Sequence, residues 1–226
     1  MDLQLAGRVV LVVGGTGLIG SAVAQRAREE GATVVVASRK GGGDGIVLDA
    51  REDESVTAAV AQVIAEYGRL DAAVISAAPS ARTLDAARNN DPEQVLEAFE
   101  GKTLTFLRVA NAVIPVMRNA GYGRVVGISG QNAFITGNVT GSIRNAALII
   151  AAKNLADEAA GSGVTVTTVS PGIVSEHPAT SVDPGKPGES SPAQIADLVA
   201  FLISPLCAIS GESIATGHRV RGAVSF

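Results

Sequence analysis

The residues of this sequence best suited to chemistry begin with a glycine cluster, GGTGLIG, at positions 14–20. It follows a short apolar run, RVVLVV at 8–13, and precedes a helical pattern, SAVAQRAREEG at 21–31. Glycines between a strand and a helix let the backbone approach a pyrophosphate, and the helix N-terminus adds N–H groups and a positive dipole end. The pattern predicts a phosphate-binding loop, with an ordinary strand–helix turn as the alternative. The predicted contacts are Gly14, Thr16, Gly17, Leu18, Ile19 and Gly20.

The second strand ends in a pair of cations that bears on the choice of nucleotide. TVVVAS at 33–38 closes with Ser38 and is followed by Arg39 and Lys40. Folds that bind NAD usually place an acid here to hold the ribose 2′-hydroxyl, whereas cations suit a 2′-phosphate. The sequence therefore favours NADP(H) over NAD(H), with a solvated pair of loop charges as the alternative. Asp49 and Ala50 close the third strand, where Asp49 either accepts from an adenine amino group or caps the next helix.

Strands and helices alternate along the chain. Apolar runs predict strands over 8–13, 33–38, 46–50, 71–76, 124–129, 164–170 and 212–220. Helical patterns cover 21–31, 52–68, 92–119, 142–161 and 191–204. Continuous apolar strands are typical of a parallel sheet covered on both faces. We expect an α/β fold, a single Rossmann-like doubly wound domain over 1–226, with a mobile Pro-, Gly- and Ser-rich loop at about 175–192.

Composition excludes several classes of protein. The chain has 226 residues, 46% of them hydrophobic, and a net charge of −4, so we expect no nucleic-acid partner. Two histidines and one cysteine, Cys207, rule out the usual zinc clusters and an intrachain disulfide, so we expect no metal. The apolar runs are too short to span a membrane, and the start has no signal-peptide pattern. A cytoplasmic location is the resulting expectation.

In this order the motifs resemble the short-chain dehydrogenase/reductase family over nearly the whole chain. GGTGLIG is similar to that family's glycine motif, and LDAAVISAA at 70–78 resembles its strand ending in Asn-Asn-Ala-Gly. VSPGIV at 169–174 closely matches the Pro-Gly stretch beside the nicotinamide, and ISGESIATGHRVRG at 209–222 resembles the last strand. The resemblance implies a small-molecule substrate and a homodimer or homotetramer paired through helices near 93–118 and 142–161. It adds these cofactor contacts: Ser76, Ala77, Ala78, Pro171, Gly172, Ile173 and Val174.

The catalytic residues of that family are largely replaced. Aligned on VSPG, the family's tyrosine falls on Gly141 and its lysine on Asn145. The family's asparagine falls on Lys102, and its serine on Gly130, with Ser129 beside it. Glycine cannot donate a proton and neutral Asn145 supplies no cation, so carbonyl reduction by the family mechanism should be very poor.

Lys102 and Ser129 remain as candidate catalytic residues. An inward-pointing Lys102 would place an ammonium near a substrate oxyanion, whereas an exposed helix lysine is the alternative. Ser129, Gln131, Asn132 and Asn138 form a neutral hydrogen-bonding set, which either orients a substrate or caps loops and turns. Glu176 and His177 are candidate replacement acids, His177 otherwise being a solvent-exposed residue. Arg144 faces either the pocket or the solvent.

Three hypotheses follow for the function. The first is an NADP(H)-dependent oxidoreductase with a rewired proton-transfer site, acting on an activated alkene, imine or quinone. The second is a catalytically silent nucleotide-binding protein, a sensor or the partner of an active subunit. The third is a non-redox lyase or isomerase in the same pocket, which the presence of SRK and VSPGIV disfavours.

Overall fold

The computed structural model describes residues 1–42 and 45–222, and within them seven strands form one parallel sheet. The spatial order is β3-β2-β1-β4-β5-β6-β9. These strands are β1 (Val9–Val13), β2 (Thr33–Ser38), β3 (Ile46–Val47), β4 (Ala72–Ile75), β5 (Gly123–Ile128), β6 (Val164–Pro171) and β9 (Ser213–Thr216). Two short strands, β7 (Ile173–Val174) and β8 (Glu189–Ser190), pair in parallel outside this sheet. The predicted Rossmann-like α/β fold is confirmed.

Helices cover both faces of the sheet. They are α1 (Leu18–Glu29), α2 (Asp53–Tyr67), α3 (Pro92–Phe99), α4 (Thr105–Ala120), α5 (Val139–Glu158) and α6 (Pro192–Leu202). Successive side chains of a strand point to opposite faces, so β1 contributes to two cores. Leu11 packs into the core under α2, α4 and α5, and Val12 into the core under α1 and α6. This double burial explains why the strand sequences are apolar throughout.

The boundaries of several elements differ from the predictions. The single helix predicted over 92–119 is interrupted by a wide π-helical turn at Glu100–Leu104, between α3 and α4. In the strand predicted over 46–50, only Ile46–Val47 pairs with β2, because the chain then turns at Asp49, which accepts from the Arg51 N–H at 3.0 Å. The last strand stops at Thr216 because Gly217 takes a φ of +71°.

The loop predicted at about 175–192 is partly regular structure. Its end contains β8, and α6 begins at Pro192 behind a capping box formed by Ser191 and Gln194. The mobility of the remainder stays a prediction. Positions 43–44 and 223–226 of the predicted single domain lie outside the described residues.

Asp71 ties together the amino ends of the two central strands. Its buried carboxylate accepts from the backbone N–H of Val9 at 2.9 Å, from Arg8 Nη1 at 2.9 Å and from Arg69 Nη2 at 2.6 Å. Burial raises the pKa of Asp71, but the hydrogen bonds from Arg69, Val9 and Arg8 outweigh it and leave that pKa below its usual value. The ionised carboxylate therefore fixes the start of β4 against β1.

We expect Asp71→Ala to lower the free energy of unfolding by roughly 3 kcal/mol, because it removes the acid and leaves two arginines unpaired. Urea denaturation measures the change. The control is Asp183→Ala, which removes an exposed pair with Lys186 at 3.6 Å and should have almost no effect. Equal losses in the two variants would contradict this role of Asp71.

Candidate functional site

A cleft of about 620 Å³ opens at the carboxyl ends of β1, β2 and β4. The strand order reverses between β1 and β4, which is where open parallel sheets bind their ligands. Ten of the predicted cofactor contacts line it: Gly14, Thr16, Gly17, Ser38, Arg39, Asp49, Ala50, Ser76, Ala77 and Ala78. The walls also include residues that the sequence did not suggest, among them Arg51, Pro79, Glu97, Gly101 and Thr105.

The glycine loop at 14–20 forms a cradle of bare backbone, and Gly14 and Gly20 are packed too closely to carry side chains. Gly14 has a φ of +82°, and a Cβ there would lie 2.6 Å from the backbone nitrogen of Ala77. A Cβ on Gly20 would lie 2.2 Å from the Gly14 carbonyl oxygen. Helix α1 begins directly after Gly17, with no acidic residue in its first turn and no side-chain cap at its start. Its first N–H groups therefore lack intrahelical acceptors, which suits a phosphate.

The remaining predicted contacts do not line the cleft. They are Leu18, Ile19, Gly20, Lys40, Pro171, Gly172, Ile173 and Val174. Gly172 packs against the loop before β8, where a Cβ would lie 2.2 Å from the Gly188 carbonyl oxygen. The Nε2 of Gln131 would lie 3.3 Å from the same Cβ, and it donates to the Thr216 carbonyl at 3.0 Å. The Pro-Gly turn is thus held at the same edge of the sheet.

The structure also locates three loop residues whose roles the sequence left open. The Asp49 carboxylate accepts from the backbone of Arg51, and α2 begins after Glu52, so Asp49 is not the helix cap. Glu176 and His177 are exposed and lie outside the residues that line the cleft.

The start of α5 holds the positions where the family's tyrosine and lysine would fall. A Cβ on Gly141 would lie 2.9 Å from Asn132 Nδ2 and 2.9 Å from Asn138 Oδ1. Asn138 Oδ1 already accepts from the Gly141 N–H at 2.7 Å as the helix cap. Asn145 is buried, donates to the Gly141 carbonyl at 2.8 Å and leaves its Oδ1 without a partner. A larger residue at 141 would therefore have to displace both neighbouring asparagines.

Lys102 points inward, so the alternative of an exposed lysine is wrong. It lies on the π-helical turn, is 7% exposed, and its Nζ donates to the Ser129 carbonyl at 3.0 Å. Burial, reinforced by the like charge of Arg144, lowers the pKa of Lys102 to about 7. The Ser129 hydroxyl donates to the Asn145 carbonyl at 3.0 Å. The structure thus brings both candidate catalytic residues together at the end of β5.

Arg144, whose direction the sequence left open, is also buried. It is 4% exposed, and its Nη1 donates to the carbonyl of Pro79 at 3.2 Å, in the wall of the cleft. Its Nε has no hydrogen-bond partner, and burial lowers its pKa. Thr103, next to Lys102, donates to the Arg144 carbonyl at 3.0 Å and holds the π-helical turn against α5.

Two broader features are absent from the described ranges. In them, no helix is both long and apolar enough to cross a membrane. The same ranges contain no group of three histidine, cysteine or acidic side chains arranged to hold a metal ion.

Comparison with known proteins defines the class. A family model described as enoyl-(acyl carrier protein) reductase matches residues 16–217. A 3-oxoacyl-[acyl-carrier-protein] reductase of Vibrio cholerae is 29% identical, with 94% of this chain and 96% of the relative covered. The (2S)-[(R)-hydroxy(phenyl)methyl]succinyl-CoA dehydrogenase subunit BbsC of Thauera aromatica is 31% identical, with 87% of each chain covered. The chain belongs to the short-chain dehydrogenase/reductase family of oxidoreductases.

A solved structure agrees with this assignment. A protein described as ribose-5-phosphate isomerase from Brucella melitensis superimposes with a TM-score of 0.81 at 27% identity, covering 96% of this chain and 93% of that one. The family resemblance inferred from the motifs is confirmed.

The burial of Lys102 predicts a dependence of stability on pH. Its pKa is about 7 in the folded protein against an ordinary 10.5, so between these values the unfolded chain binds more protons. The free energy of unfolding should then rise with pH in this window, by at most about 1.4 kcal/mol per pH unit. Lys102→Met should abolish this slope, whereas Lys186→Met, at an exposed position, should retain it. Urea denaturation across the window tests the prediction, and an unchanged slope in Lys102→Met would contradict it.

Proposed function

We propose that the protein is an NADP(H)-dependent oxidoreductase in which Lys102 holds the transferred proton. The observation that carries the proposal is a buried lysine, with a pKa lowered to about 7, at the same edge of the sheet as a glycine cradle. The family's tyrosine and lysine positions contain no titratable group, whereas Lys102 is titratable near neutral pH.

The cleft fits a dinucleotide phosphate. Gly14, Gly17 and the N-terminus of α1 would hold the pyrophosphate, because only a backbone without side chains fits the cradle. Ser38 and Arg39 would hold the 2′-phosphate, and Asp49 the adenine amino group. When bound, this cofactor supplies or accepts a hydride. The residues of the cleft bind it and orient it toward the end of β5.

Lys102 would move the proton. Reduction leaves negative charge on the substrate, which a protonated Nζ would neutralise by transferring its proton. A general acid works best when its pKa lies near the working pH, and that of Lys102 is about 7. The backbone carbonyl of Ser129 orients Nζ, while the Ser129 hydroxyl is engaged with α5, so we assign Ser129 a positioning role. The charge of Arg144 would further stabilise an oxyanion.

A specific observation favours a second candidate, the catalytically silent subunit. A tyrosine at position 141 would have to displace Asn132 and Asn138, and the relative in Thauera aromatica is described as one subunit of a dehydrogenase. The isomerase named for the Brucella protein favours the non-redox candidate, because one fold hosts several kinds of chemistry. The position of Arg39 in the cleft instead favours a phosphorylated dinucleotide.

We also propose that the protein forms a homodimer or homotetramer. Ile143 and Ile150 are exposed two turns apart on α5, on the same side of the helix. Burying them against a second copy would remove apolar surface from water.

Calorimetric titration with nucleotides tests the proposal that the cleft binds NADP(H). Wild-type protein should bind NADPH more tightly than NADH in calorimetric titration. We expect Arg39→Ala to weaken NADPH binding by roughly tenfold, because it removes a charged hydrogen bond to the 2′-phosphate, and to leave NADH binding unchanged. Lys40→Ala is the matched control, since Lys40 lies outside the cleft lining. Absence of binding of either nucleotide would overturn both the oxidoreductase and the silent-subunit candidates.

The role of Lys102 is tested by NADPH oxidation with a panel of activated alkenes, imines and quinones. We expect kcat/KM for reduction to fall as pH rises through about 7, because Nζ of the free enzyme loses its proton there. Lys102→Met should lower kcat by roughly 100-fold or more, and Lys102→Arg should be equally slow because a guanidinium keeps its proton. Tight NADPH binding with no oxidation across the panel would favour the silent subunit instead.

A further inference from the structure

Two buried cations meet behind the wall of the cleft without an acidic partner. Lys102 and Arg144 are 7% and 4% exposed, and the charge of Arg144 lowers the pKa of Lys102. In the described part of the chain neither forms an ion pair with a carboxylate. Lys102 can lose its proton near neutral pH, whereas an arginine stays charged. Buried charges in proteins are normally paired, so the unpaired guanidinium of Arg144 points to a ligand of opposite charge.

The acidic residues nearby are committed elsewhere. Glu100, on the same π-helical turn as Lys102, pairs with Arg108 at 2.7 Å. Glu97 of α3 lines the cleft, but no ion pair joins it to either cation. The hydrogen-bond partner of Lys102 Nζ at the end of β5 is a neutral group, the Ser129 carbonyl. Nothing described within the protein therefore neutralises Arg144.

The guanidinium of Arg144 is held in place with one donor unused. Nη1 is fixed by the Pro79 carbonyl, whereas Nε is buried and has no hydrogen-bond partner. Nε belongs to one of the guanidinium edges that pair in two parallel bonds with a planar carboxylate. A buried donor left without a partner costs stability, which a bound acceptor would restore.

We propose that Arg144 binds a carboxylate of the substrate, so that the protein acts on an oxo acid or an unsaturated acid rather than on a neutral carbonyl compound. The inference rests on the proposed function for the reaction, but not for the binding of the anion. A carboxylate matches the unused edge of the guanidinium in charge and planar shape. In the proposed function the cofactor's phosphates would instead be held by α1 and Arg39 in the cleft.

Binding of the carboxylate would also favour the protonated form of Lys102. The charge of Arg144 lowers the pKa of Lys102, and a bound anion cancels that effect and adds attraction of its own. The pKa of Lys102 therefore rises when the substrate arrives, and Nζ takes up a proton at neutral or slightly basic pH. The proton that reduction consumes is then in place before the reaction begins.

The test is calorimetry of full-length protein at about pH 8 with three probes, pyruvate, acetoacetate and crotonate, in two buffers of different ionisation enthalpy. We expect at least one acid to bind with uptake of roughly half a proton, and its methyl ester to bind at least about tenfold more weakly. Arg144→Met should lose the binding of the acid. Lys102→Met should still bind the acid but without proton uptake. Arg118→Met, at a partly exposed pair with Glu158, is the control and should behave as wild type.

Several outcomes would overturn the inference. The first is that wild-type protein binds an acid and its methyl ester equally well. The second is that a folded Arg144→Met binds the acid as tightly as wild type. The third is that wild-type protein binds none of the three acids. Weakened NADPH binding in Arg144→Met without carboxylate binding by wild type would assign Arg144 to the cofactor. The comparison of acid with ester uses only wild-type protein. It therefore tests whether a carboxylate is bound even if Arg144→Met does not fold. Carboxylate binding without NADPH oxidation would refute the proposed reaction and leave the anion site standing.

Discussion

The close approach of two strand ends sets the geometry on which the rest of the cleft depends. Gly14 lies so near the backbone of Ala77 that only glycine fits there, and Gly20 repeats this constraint between α1 and the turn. The ends of β1 and β4 consequently meet with their backbones exposed to the cleft, and the helix N-terminus is aimed across the gap. Asp71 fixes the opposite ends of the same strands, so the central pair is held at both edges.

A second constraint lies in the electrostatics of the π-helical turn. Placing Lys102 and Arg144 out of water works against folding, because each loses hydration and the two repel one another. The surrounding cores, under α2, α4 and α5 on one face and α1 and α6 on the other, offset this loss. Proteins commonly keep such locally unfavourable groups where chemistry requires them. The wide turn is itself typical of functional positions in helices.

The sheet and the phosphate cradle could be predicted from the sequence because their signals are local. Val9–Val13 is apolar on both faces, and the glycines stand between a strand and a helix. Lys102 was identified by its position in the family pattern, but its burial depends on a π-helical turn that shifts the register of a helix expected to be regular. The direction of Arg144 depends on the packing of α5 against residues distant in sequence. Arg51 reaches the cleft wall beside Gly101, which is also distant in sequence. Neither the direction of Arg144 nor the position of Arg51 can be predicted from the spacing of apolar residues along the chain.

The asparagines around Gly141 constrain which substitutions the start of α5 accepts. A tyrosine introduced at this one position would meet Asn132 and would displace Asn138 from the end of α5, where it caps the helix. Loss of a cap of this kind destabilises a helix by about 1 kcal/mol, so a tyrosine at position 141 carries a stability cost before any effect on activity appears. Compensating substitutions at positions 132 and 138 would reduce that cost. The effect of any side chain introduced at position 141 therefore depends on the residues at these two positions.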